Sequence, residues 1–366
     1  MRTADSILRP RPARPRSLTA ETPLRTADFE YDLPPELIAQ HPSARRGESR
    51  LLVVRRAEPR FGELRDARFP DLLPLIPPGD LLVLNSTRVR HARLLGTRPT
   101  GAPAEVLLLH PTAGDCWLAI GKPGHALRAG RRIRLGDDVE IETVEVLETG
   151  ERVVRAVGTT MEDAIARFGR LPLPPYIERE PDPMDELRYQ TVYAEREGSV
   201  AAPTAGLHLT GDLLADFRAQ GVRVETLDLE VGPGTFRPVE TERITEHAMH
   251  PELFDIPERL ARAVAETRDR GGAVWAVGTT VVRALESAAR PDGSIASGRA
   301  ETRLLIAPGY AFRAVDRLVT NFHLPRSTLL MLVAAFAGYE TTMAAYRHAV
   351  AARYRFYSYG DAMCVI

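Results

Sequence analysis

The chain has 366 residues, 44% of them hydrophobic, which is enough for two domains or for one domain with a large insertion. Its net charge of −1 creates no global field that would favour nucleic-acid binding, although a local basic strip would be enough to hold RNA. Two cysteines, Cys116 and Cys364, form no disulfide framework, and the longest apolar run, residues 329–337, is too short to span a bilayer, so we expect a cytoplasmic protein without a membrane segment.

Residues 1–27 are predicted to be a disordered basic leader. Arginines alternate with prolines there and no apolar periodicity is present. A start codon assigned too far upstream would give the same pattern. From Phe29 onward the pattern becomes that of a folded protein.

The first folded stretches predict a short helix and two strands. The helix starts at Pro35 in "YDLPPELIAQHP", "SRLLVV" forms a strand, and "GDLLVLNSTRV" contains a buried strand that ends in a polar cluster. Short runs follow in which apolar and polar residues alternate, among them "AEVLLL", "CWLAI" and "VEIETVEVL", separated by glycine-rich turns. This spacing predicts a small antiparallel β-barrel domain inserted over residues 76–159.

After Met161 the pattern changes to strands that alternate with helices. "TGDLLADFRAQG" predicts a helix with Thr210 as N-cap and Gly221 just beyond its end. "AVWAV" and "RLVTNF" predict strands, each followed by a helix. The fold class is therefore α/β, with a main domain formed by residues 28–75 and 160–366 and the barrel inserted between them.

Three loops follow predicted strands, where an α/β sheet places its ligands. In "WAVGTTVVR", Gly278 allows a tight turn, and Thr279 or Thr280 caps the next helix; for this loop alone, a well-capped helix without a ligand is the favoured explanation. In "EVGPGTFRP" two glycines allow close approach of a ligand. In "TNFHLP", Asn321 and His323 are polar groups that helix packing does not explain.

Two further stretches contain histidines. The small residues of "SVAAPTAGLHLT" allow a flat ligand to approach the backbone before His208. "ITEHAMHPE" holds His247 and His250, but neither cysteine is near enough in sequence to complete a zinc site, so no metal is expected. Solvent exposure or burial in the core explains His247 as well.

Basic residues cluster at two places. One cluster holds Arg128, Arg131, Arg132 and Arg134 on the predicted barrel, and the other holds Arg45, Arg46 and Arg50. Either cluster fits a phosphate backbone or a solvated surface equally well.

Taken together, several long and unusual stretches resemble the S-adenosylmethionine:tRNA ribosyltransferase-isomerases of queuosine biosynthesis. They run in the family's order from about Phe29 to the C-terminus and include "GDLLVLNSTRV", "RFGRLPLPPYI", "YQTVYAEREGSVAAPTAGLHLT", "AVGTTVVRALESA", "VTNFHLPRSTLLMLVAAFAG" and "YRFYSYGDAM". The resemblance implies an α/β body with an inserted barrel. It also implies transfer of the ribosyl part of S-adenosylmethionine, as co-substrate, onto the aminomethyl group of a 7-deazaguanine at the tRNA wobble position.

The resemblance and the chemistry together name the expected site. Proton transfers near neutral pH favour histidine, so His208, His323 and His250 are the expected catalytic residues, with His208 or His323 as the base. The residues expected to bind substrate are Asn85, Thr87, Arg88, Thr204, Gly206, Gly278, Thr279, Thr280, Arg283, Asn321, Tyr359 and Asp361. No metal, no membrane and a monomer are expected.

Two departures from the family pattern concern the acceptor. Glu230 stands where the family usually has a histidine, and in the stretch "GKPGHALRAG" of the barrel Lys122 and His125 stand where arginine and lysine are common. Lys122 is also the only lysine in the chain. A paralogue that modifies a free small-molecule amine is therefore the first alternative, and a catalytically silent RNA-binding protein is the second.

Overall fold

A computed structural model describes residues 24–56, 62–232 and 239–366. Residues 1–23 of the predicted leader and most of the loop "EVGPGTFRP" lie outside the described residues. The structured part begins earlier than Phe29: Arg25 forms a β-bridge with Arg243, and a 3-10 helix spans Thr26–Phe29. Burial of Thr26 and Phe29 explains why these residues are ordered.

In the described chain, ten strands precede the first α-helix, and strands and helices are interspersed only after residue 160. The strands are β1 (Arg50–Arg55), β2 (Glu63–Arg68), β3 (Leu81–Asn85), β4 (Thr87–Val89), β5 (Arg93–Thr97), β6 (Pro103–Pro111), β7 (Cys116–Lys122), β8 (Arg132–Arg134), β9 (Glu140–Val146), β10 (Arg152–Val157), β11 (Gly169–Arg170), β12 (Arg196–Ser199), β13 (Arg223–Leu229), β14 (Glu252–Ile256), β15 (Val274–Val277), β16 (Gly298–Thr302), β17 (Arg317–Asn321) and β18 (Ala362–Val365). The α-helices are α1 (Met161–Phe168), α2 (Pro183–Arg188), α3 (Gly211–Ala219), α4 (Glu258–Asp269), α5 (Thr279–Ala288), α6 (Thr328–Ala337) and α7 (Tyr339–Ala351). A short 3-10 turn, Pro35–Leu37, replaces the predicted helix at Pro35.

The larger sheet has the strand order β16-β14-β13-β3-β15-β17-β18-β1-β2. Its centre is parallel, because β3 pairs in parallel with β13 and β15, and β15 pairs in parallel with β17. Alternate side chains of the central strands enter two different cores. Leu81 and Val83 pack with the helices α4 to α7, whereas Leu82 and Leu84 pack with α3 on the opposite face.

A second sheet has the order β11-β5-β6-β7-β10-β9-β8 with an additional pairing of β5 to β8, and it has its own apolar core. This sheet begins at Arg93, not at residue 76 as the sequence predicted. The predicted boundary was wrong because β3 lies in the middle of the larger sheet, where every one of its residues is buried. A continuous apolar run of this kind suits a parallel strand covered on both faces.

The helix ends follow the sequence with one exception. Thr210 caps α3 by accepting a hydrogen bond from the Leu213 backbone N–H, and Gly221 beyond its end has a φ of 90°. For α5, however, the N-cap is Gly278 with a φ of 99°, and neither Thr279 nor Thr280 caps the helix. The first turn of α5 is therefore left without a side-chain cap.

No single helix in the described residues is long and apolar enough to cross a membrane. Helices α6 and α7 have the required length and apolar composition only when they are taken together, and their axes are bent by 116° at the break between them. Most of their apolar side chains are buried in the core beneath the larger sheet.

Glu286 holds the segment that leads into β17. Its buried carboxylate accepts hydrogen bonds from the backbone N–H groups of Arg313, Ala314 and Val315 at 2.9–3.1 Å, and from the Tyr310 hydroxyl at 3.2 Å. One side chain on α5 thus fixes the start of the strand that ends at Asn321.

Replacing Glu286 with Gln is expected to lower the free energy of unfolding by about 2–4 kcal/mol, because an amide N–H₂ group faces buried N–H donors that have lost their acceptor. Urea denaturation measures this loss. The matched control is Glu258→Gln at the exposed start of α4, which should cost less than about 1 kcal/mol. Equal losses in the two variants would contradict the role of Glu286.

Candidate active site

The central parallel strands end at one edge of the larger sheet, and a cavity of about 50 Å³ opens there. We call it the Asn321 cavity. It lies between the start of α5, the end of β17, the small residues before His208 and two tyrosines. Its lining residues are Tyr176, Ala202, Pro203, Thr204, Ala205, Val231, Gly278, Thr279, Thr280, Thr320, Asn321, Phe322, His323, Leu324, Ser327, Leu329, Tyr357 and Ser358. The predicted loops at Gly278 and at Asn321 therefore meet, and Val231 from the described part of the loop "EVGPGTFRP" lies beside them.

The amide of Asn321 is fixed in one orientation. Its Nδ2 donates to the backbone carbonyl of Tyr357 at 3.0 Å and lies 3.2 Å from the Nε2 of His208. An amide nitrogen has two hydrogens, so these two acceptors use both. The Oδ1 atom is buried without a hydrogen-bond partner among the described residues. Asn321 therefore offers only an acceptor.

His208 lies behind Asn321 and does not line the cavity. Because its Nε2 accepts from Asn321, its Nδ1 carries the hydrogen and donates to the hydroxyl of Ser49 at 2.7 Å. The ring stacks on Phe69 with centroids 4.9 Å apart. Burial, together with the nearby Arg46 and Arg355, lowers the pKa of His208 to about 3, so the ring stays neutral.

His323 lines the cavity itself. Its Nε2 lies 2.9 Å from the hydroxyl of Thr320, its backbone N–H donates to the hydroxyl of Tyr346 at 3.0 Å, and its carbonyl accepts from the hydroxyl of Tyr31 at 2.5 Å. Burial alone lowers the pKa of His323 to about 3. The ring is held as a neutral imidazole with both backbone groups fixed.

Two aromatic rings form one wall of the Asn321 cavity. Tyr176 and Tyr357 contact each other with centroids 4.6 Å apart, and the Tyr176 hydroxyl is bonded to Ser358 at 2.5 Å. The hydroxyl of Tyr357 is buried and has no partner among the described residues. Tyr357 has a φ of 69°, an unusual conformation for a residue other than glycine.

A second cavity of about 260 Å³ adjoins the first, since Val231 and Leu329 line both. We call it the Arg283 cavity. It lies between the two sheets, with His110 and Glu151 from the second sheet and Glu230, His247, His250, Glu252, Arg283 and Glu301 from the main body among its lining residues. The lining contains four carboxylates and one guanidinium and is therefore acidic, although Glu230 and Glu301 also pair with Arg299 and Arg303 outside it.

Arg283 is the buried cation of this cavity. Its guanidinium forms an ion pair with Glu252, and both side chains are almost fully buried. The Nε donates to the carbonyl of Leu304 at 3.1 Å, whereas Nη2 has no hydrogen-bond partner among the described residues. A buried guanidinium nitrogen without an acceptor is costly, and a ligand carboxylate would satisfy it.

Several predicted substrate-binding residues lie outside both cavities and bond to the protein instead. The Asn85 amide bonds to both backbone groups of Leu229, the Thr87 hydroxyl bonds to Ser199 at 2.8 Å, and Arg88 donates to the carbonyl of Ala194 at 2.7 Å. These four bonds connect β3 and β4 to neighbouring segments.

Three further predicted residues also support the fold. The Tyr359 hydroxyl donates to Asp185 at 2.7 Å, and Asp361 accepts from two backbone N–H groups, those of Arg50 and Arg355, at 2.8 Å each. Gly206 is required because a Cβ there would lie 2.0 Å from the hydroxyl of Tyr193.

The sequence did not single out Tyr176, Tyr357 or Glu252. The tyrosines are part of quoted motifs, but only the tertiary structure reveals that Tyr357 rather than Tyr359 faces the cavity. Glu252 gives no sequence signal, since a glutamate in "HPELF" is typical of an exposed strand.

The fold and this cleft define an α/β protein whose cleft lies where the central parallel strands end, the edge at which such sheets usually place a ligand. The sequence model of the family described as "Queuosine biosynthesis protein" matches residues 26–365. S-adenosylmethionine:tRNA ribosyltransferase-isomerases of Syntrophomonas wolfei subsp. wolfei and of Thiobacillus denitrificans are each 52% identical to this chain, covering 93% of it and 97% of their own length. A crystal structure of an S-adenosylmethionine tRNA ribosyltransferase from Thermotoga maritima is 36% identical, with a TM-score of 0.53, and covers 92% of this chain and 99% of its own.

This chain therefore belongs to the queuosine biosynthesis protein family. The predicted family and the predicted class of enzyme, a transferase and isomerase of queuosine biosynthesis, are confirmed. Neither the small-molecule paralogue nor the silent RNA-binding protein is favoured by these relatives.

The two neutral histidines predict how stability depends on pH. Between pH 6.5 and about 3 the unfolded chain binds protons at His208 and His323 that the folded chain does not, so the free energy of unfolding falls as pH falls through this window. Replacing either histidine with Gln should reduce that slope by up to about 1.4 kcal/mol per pH unit. Denaturation of the wild type and both variants at several pH values tests this, and identical slopes would contradict it.

Proposed function

We propose that this chain transfers and isomerises the ribosyl part of S-adenosylmethionine onto the aminomethyl group of a 7-deazaguanine at the wobble position of tRNA. Epoxyqueuosine, adenine and methionine are the products. The observation that carries the proposal is a pair of adjoining cavities, lined by carboxylates and by buried polar atoms that have no partner among the described residues. S-adenosylmethionine has a sulfonium and an ammonium group that suit the carboxylates, and a carboxylate that suits Nη2 of Arg283.

His323 is proposed as the base that removes the proton beside the sulfonium. It is the histidine of the Asn321 cavity, and when Nε2–H donates to Thr320, Nδ1 carries the lone pair. A buried imidazole whose pKa is about 3 is a weak base. The sulfonium must therefore acidify the 5′ carbon for this step to proceed, and the acidic Arg283 cavity can stabilise the sulfonium.

His208 and His250 receive different proposed roles. His208 supports Asn321, because both of its ring nitrogens are occupied. His250 is exposed at the edge of the Arg283 cavity beside His247, where it can accept a proton from the acceptor amine, which must be neutral to attack. Thr204, Thr279 and Thr280 line the Asn321 cavity and can donate to the co-substrate.

We further propose that the second sheet is a small inserted barrel that receives the tRNA. Its strand β5 pairs with both β6 and β8, as closure requires. A third cavity of about 460 Å³ contains Lys122 and shares Glu151 and Val200 with the Arg283 cavity. Its arginines are bonded to carboxylates or carbonyls within the protein, whereas Lys122 has no ion pair among the described residues and remains available for phosphate.

The two arginine clusters that the sequence singled out also differ in whether their side chains are bonded within the protein. Arg128, Arg131 and Arg134 are exposed without an ion pair among the described residues, and Arg132 pairs with Glu140 and Glu142. Arg46 and Arg50 instead donate to backbone carbonyls of the protein. The cluster on the second sheet is therefore the one proposed to contact tRNA.

The proposal includes no metal, a monomer and a cytoplasmic location, where the tRNA substrate would be. Glu230 lies in the Arg283 cavity and pairs with Arg299 at 3.4 Å. A carboxylate there attracts an aminomethyl ammonium group, so this departure from the family pattern is compatible with the tRNA acceptor. His125 lies outside the cleft.

Adenine release tests the activity. Incubating the protein with S-adenosylmethionine and tRNA that carries the aminomethyl-deazaguanine is expected to release adenine, measured by chromatography, in proportion to modified tRNA. Release with a free small amine but not with tRNA would select the paralogue. No release with either would overturn the proposal.

His323→Ala is expected to lower kcat for adenine release by at least ~100-fold, the usual loss when a general base is removed. The matched control is His348→Ala, a histidine of α7 that bonds to Asp66 away from the cleft and should keep kcat within about twofold. Wild-type turnover in His323→Ala would remove His323 from the catalytic residues.

A further inference from the structure

The direction in which Asn321 presents its amide limits the group that can bind there. Both Nδ2 hydrogens are spent on His208 and on the carbonyl of Tyr357, so the side chain cannot donate to a ligand. Its Oδ1 is buried and has no partner among the described residues, in a side chain only 2% exposed. A ligand in the Asn321 cavity would therefore have to supply a hydrogen-bond donor to Oδ1 of Asn321.

His208 makes this orientation stable. If the amide rotated by 180°, Oδ1 would face the lone pair of Nε2 and the carbonyl oxygen of Tyr357, which are both acceptors. The Tyr357 carbonyl can only accept, so Nδ2 must face it, and the second Nδ2 hydrogen then points to Nε2 of His208. Burial opposes protonation of the ring, so Nε2 accepts and Nδ1–H donates to Ser49 at 2.7 Å. Ser49, His208 and the Tyr357 carbonyl together specify one amide orientation.

The donor expected at Oδ1 is neutral. An amide oxygen carries no charge, and the carboxylates of the cleft lie in the Arg283 cavity, where the cationic parts of a ligand are better stabilised. The Asn321 cavity is bounded by tyrosine rings, alanines and Gly278, surfaces that suit a flat aromatic group. Hydroxyl groups of Thr204, Thr279 and Tyr357 are available for ring nitrogens.

We propose that Asn321, held by His208, is the residue that selects adenine: its Oδ1 accepts a hydrogen bond from the 6-amino group of S-adenosylmethionine. The inference rests on the proposed function and adds an orientation to it. The 6-amino edge of the adenine enters the Asn321 cavity, whose volume of about 50 Å³ is smaller than the whole base, and the sulfonium and the methionine part extend toward Arg283. His208 is a positioning residue in this arrangement.

The test compares S-adenosylmethionine with its 6-oxo analogue, S-inosylmethionine, in release of the free base with the tRNA acceptor. The analogue presents an oxygen where the amino group was, so two acceptors would face each other. The wild type should prefer the adenosyl compound by at least ~100-fold in kcat/KM, since sites built around a hydrogen bond discriminate strongly against analogues that leave it unmade. Asn321→Ala should reduce that preference to less than about tenfold.

Paired substitutions of His208 separate positioning from packing. His208→Gln keeps an acceptor near the place of Nε2 and should retain most of the preference, whereas His208→Phe keeps the stacking on Phe69 but removes the acceptor and should lose it. Thermal denaturation verifies that each variant is folded. The control His348→Gln should keep the wild-type preference.

The inference is overturned if the wild type uses the two compounds within about tenfold of each other, or if Asn321→Ala keeps the full preference. A rise in KM for tRNA alone in Asn321→Ala would also overturn it, because the donor would then be the acceptor amine. Failure of the proposed function gives a different result, namely no base released from either compound by the wild type. Calorimetry of S-adenosylmethionine binding without tRNA provides an independent readout, with a loss of at least ~10-fold in affinity expected for Asn321→Ala.

Discussion

The parallel pairing at the centre of the larger sheet is the constraint on which the site depends. Because β3, β13, β15 and β17 run in one direction, their carboxyl ends lie at the same edge. Residues far apart in the sequence, such as those after β15 and after β17, meet there only for this reason. Glu286 adds to the constraint by fixing the segment that enters β17.

The cleft divides its chemistry between two adjoining cavities. The groups in and directly behind the Asn321 cavity are neutral, since burial keeps both His323 and His208 uncharged. The Arg283 cavity holds the charges, with several carboxylates around a single buried guanidinium. A ligand with a flat neutral end and a charged end would therefore bind in one orientation, with the neutral end in the Asn321 cavity and the charged end in the Arg283 cavity. Association of the second sheet with the Arg283 cavity, through His110 and Glu151, brings the proposed tRNA-binding part to the charged end.

Burial changes what a histidine can do. An imidazole in water titrates near neutrality and is an obvious base, which is why the sequence led to all three histidines as catalytic candidates. In the folded chain, both ring nitrogens of His208 are hydrogen-bonded within the protein and the ring does not line the cavity, whereas His323 does line it. The same residue type therefore supports an amide at one position and faces the ligand at the other, and the difference comes from neighbours that the sequence does not place.

The sequence by itself determined the α/β class, the ends of α3, the loops at Gly278 and Asn321 and the family, because these depend on local patterns and on motifs that survive as strings of residues. Tertiary structure alone decided that β3 belongs to the larger sheet, that Asn85, Tyr359 and Asp361 bond within the protein, and that Tyr357 and Glu252 line the cleft. The physical reason is that a buried polar side chain forms hydrogen bonds with whichever groups the fold brings within about 3 Å of it. Those groups are usually distant in sequence.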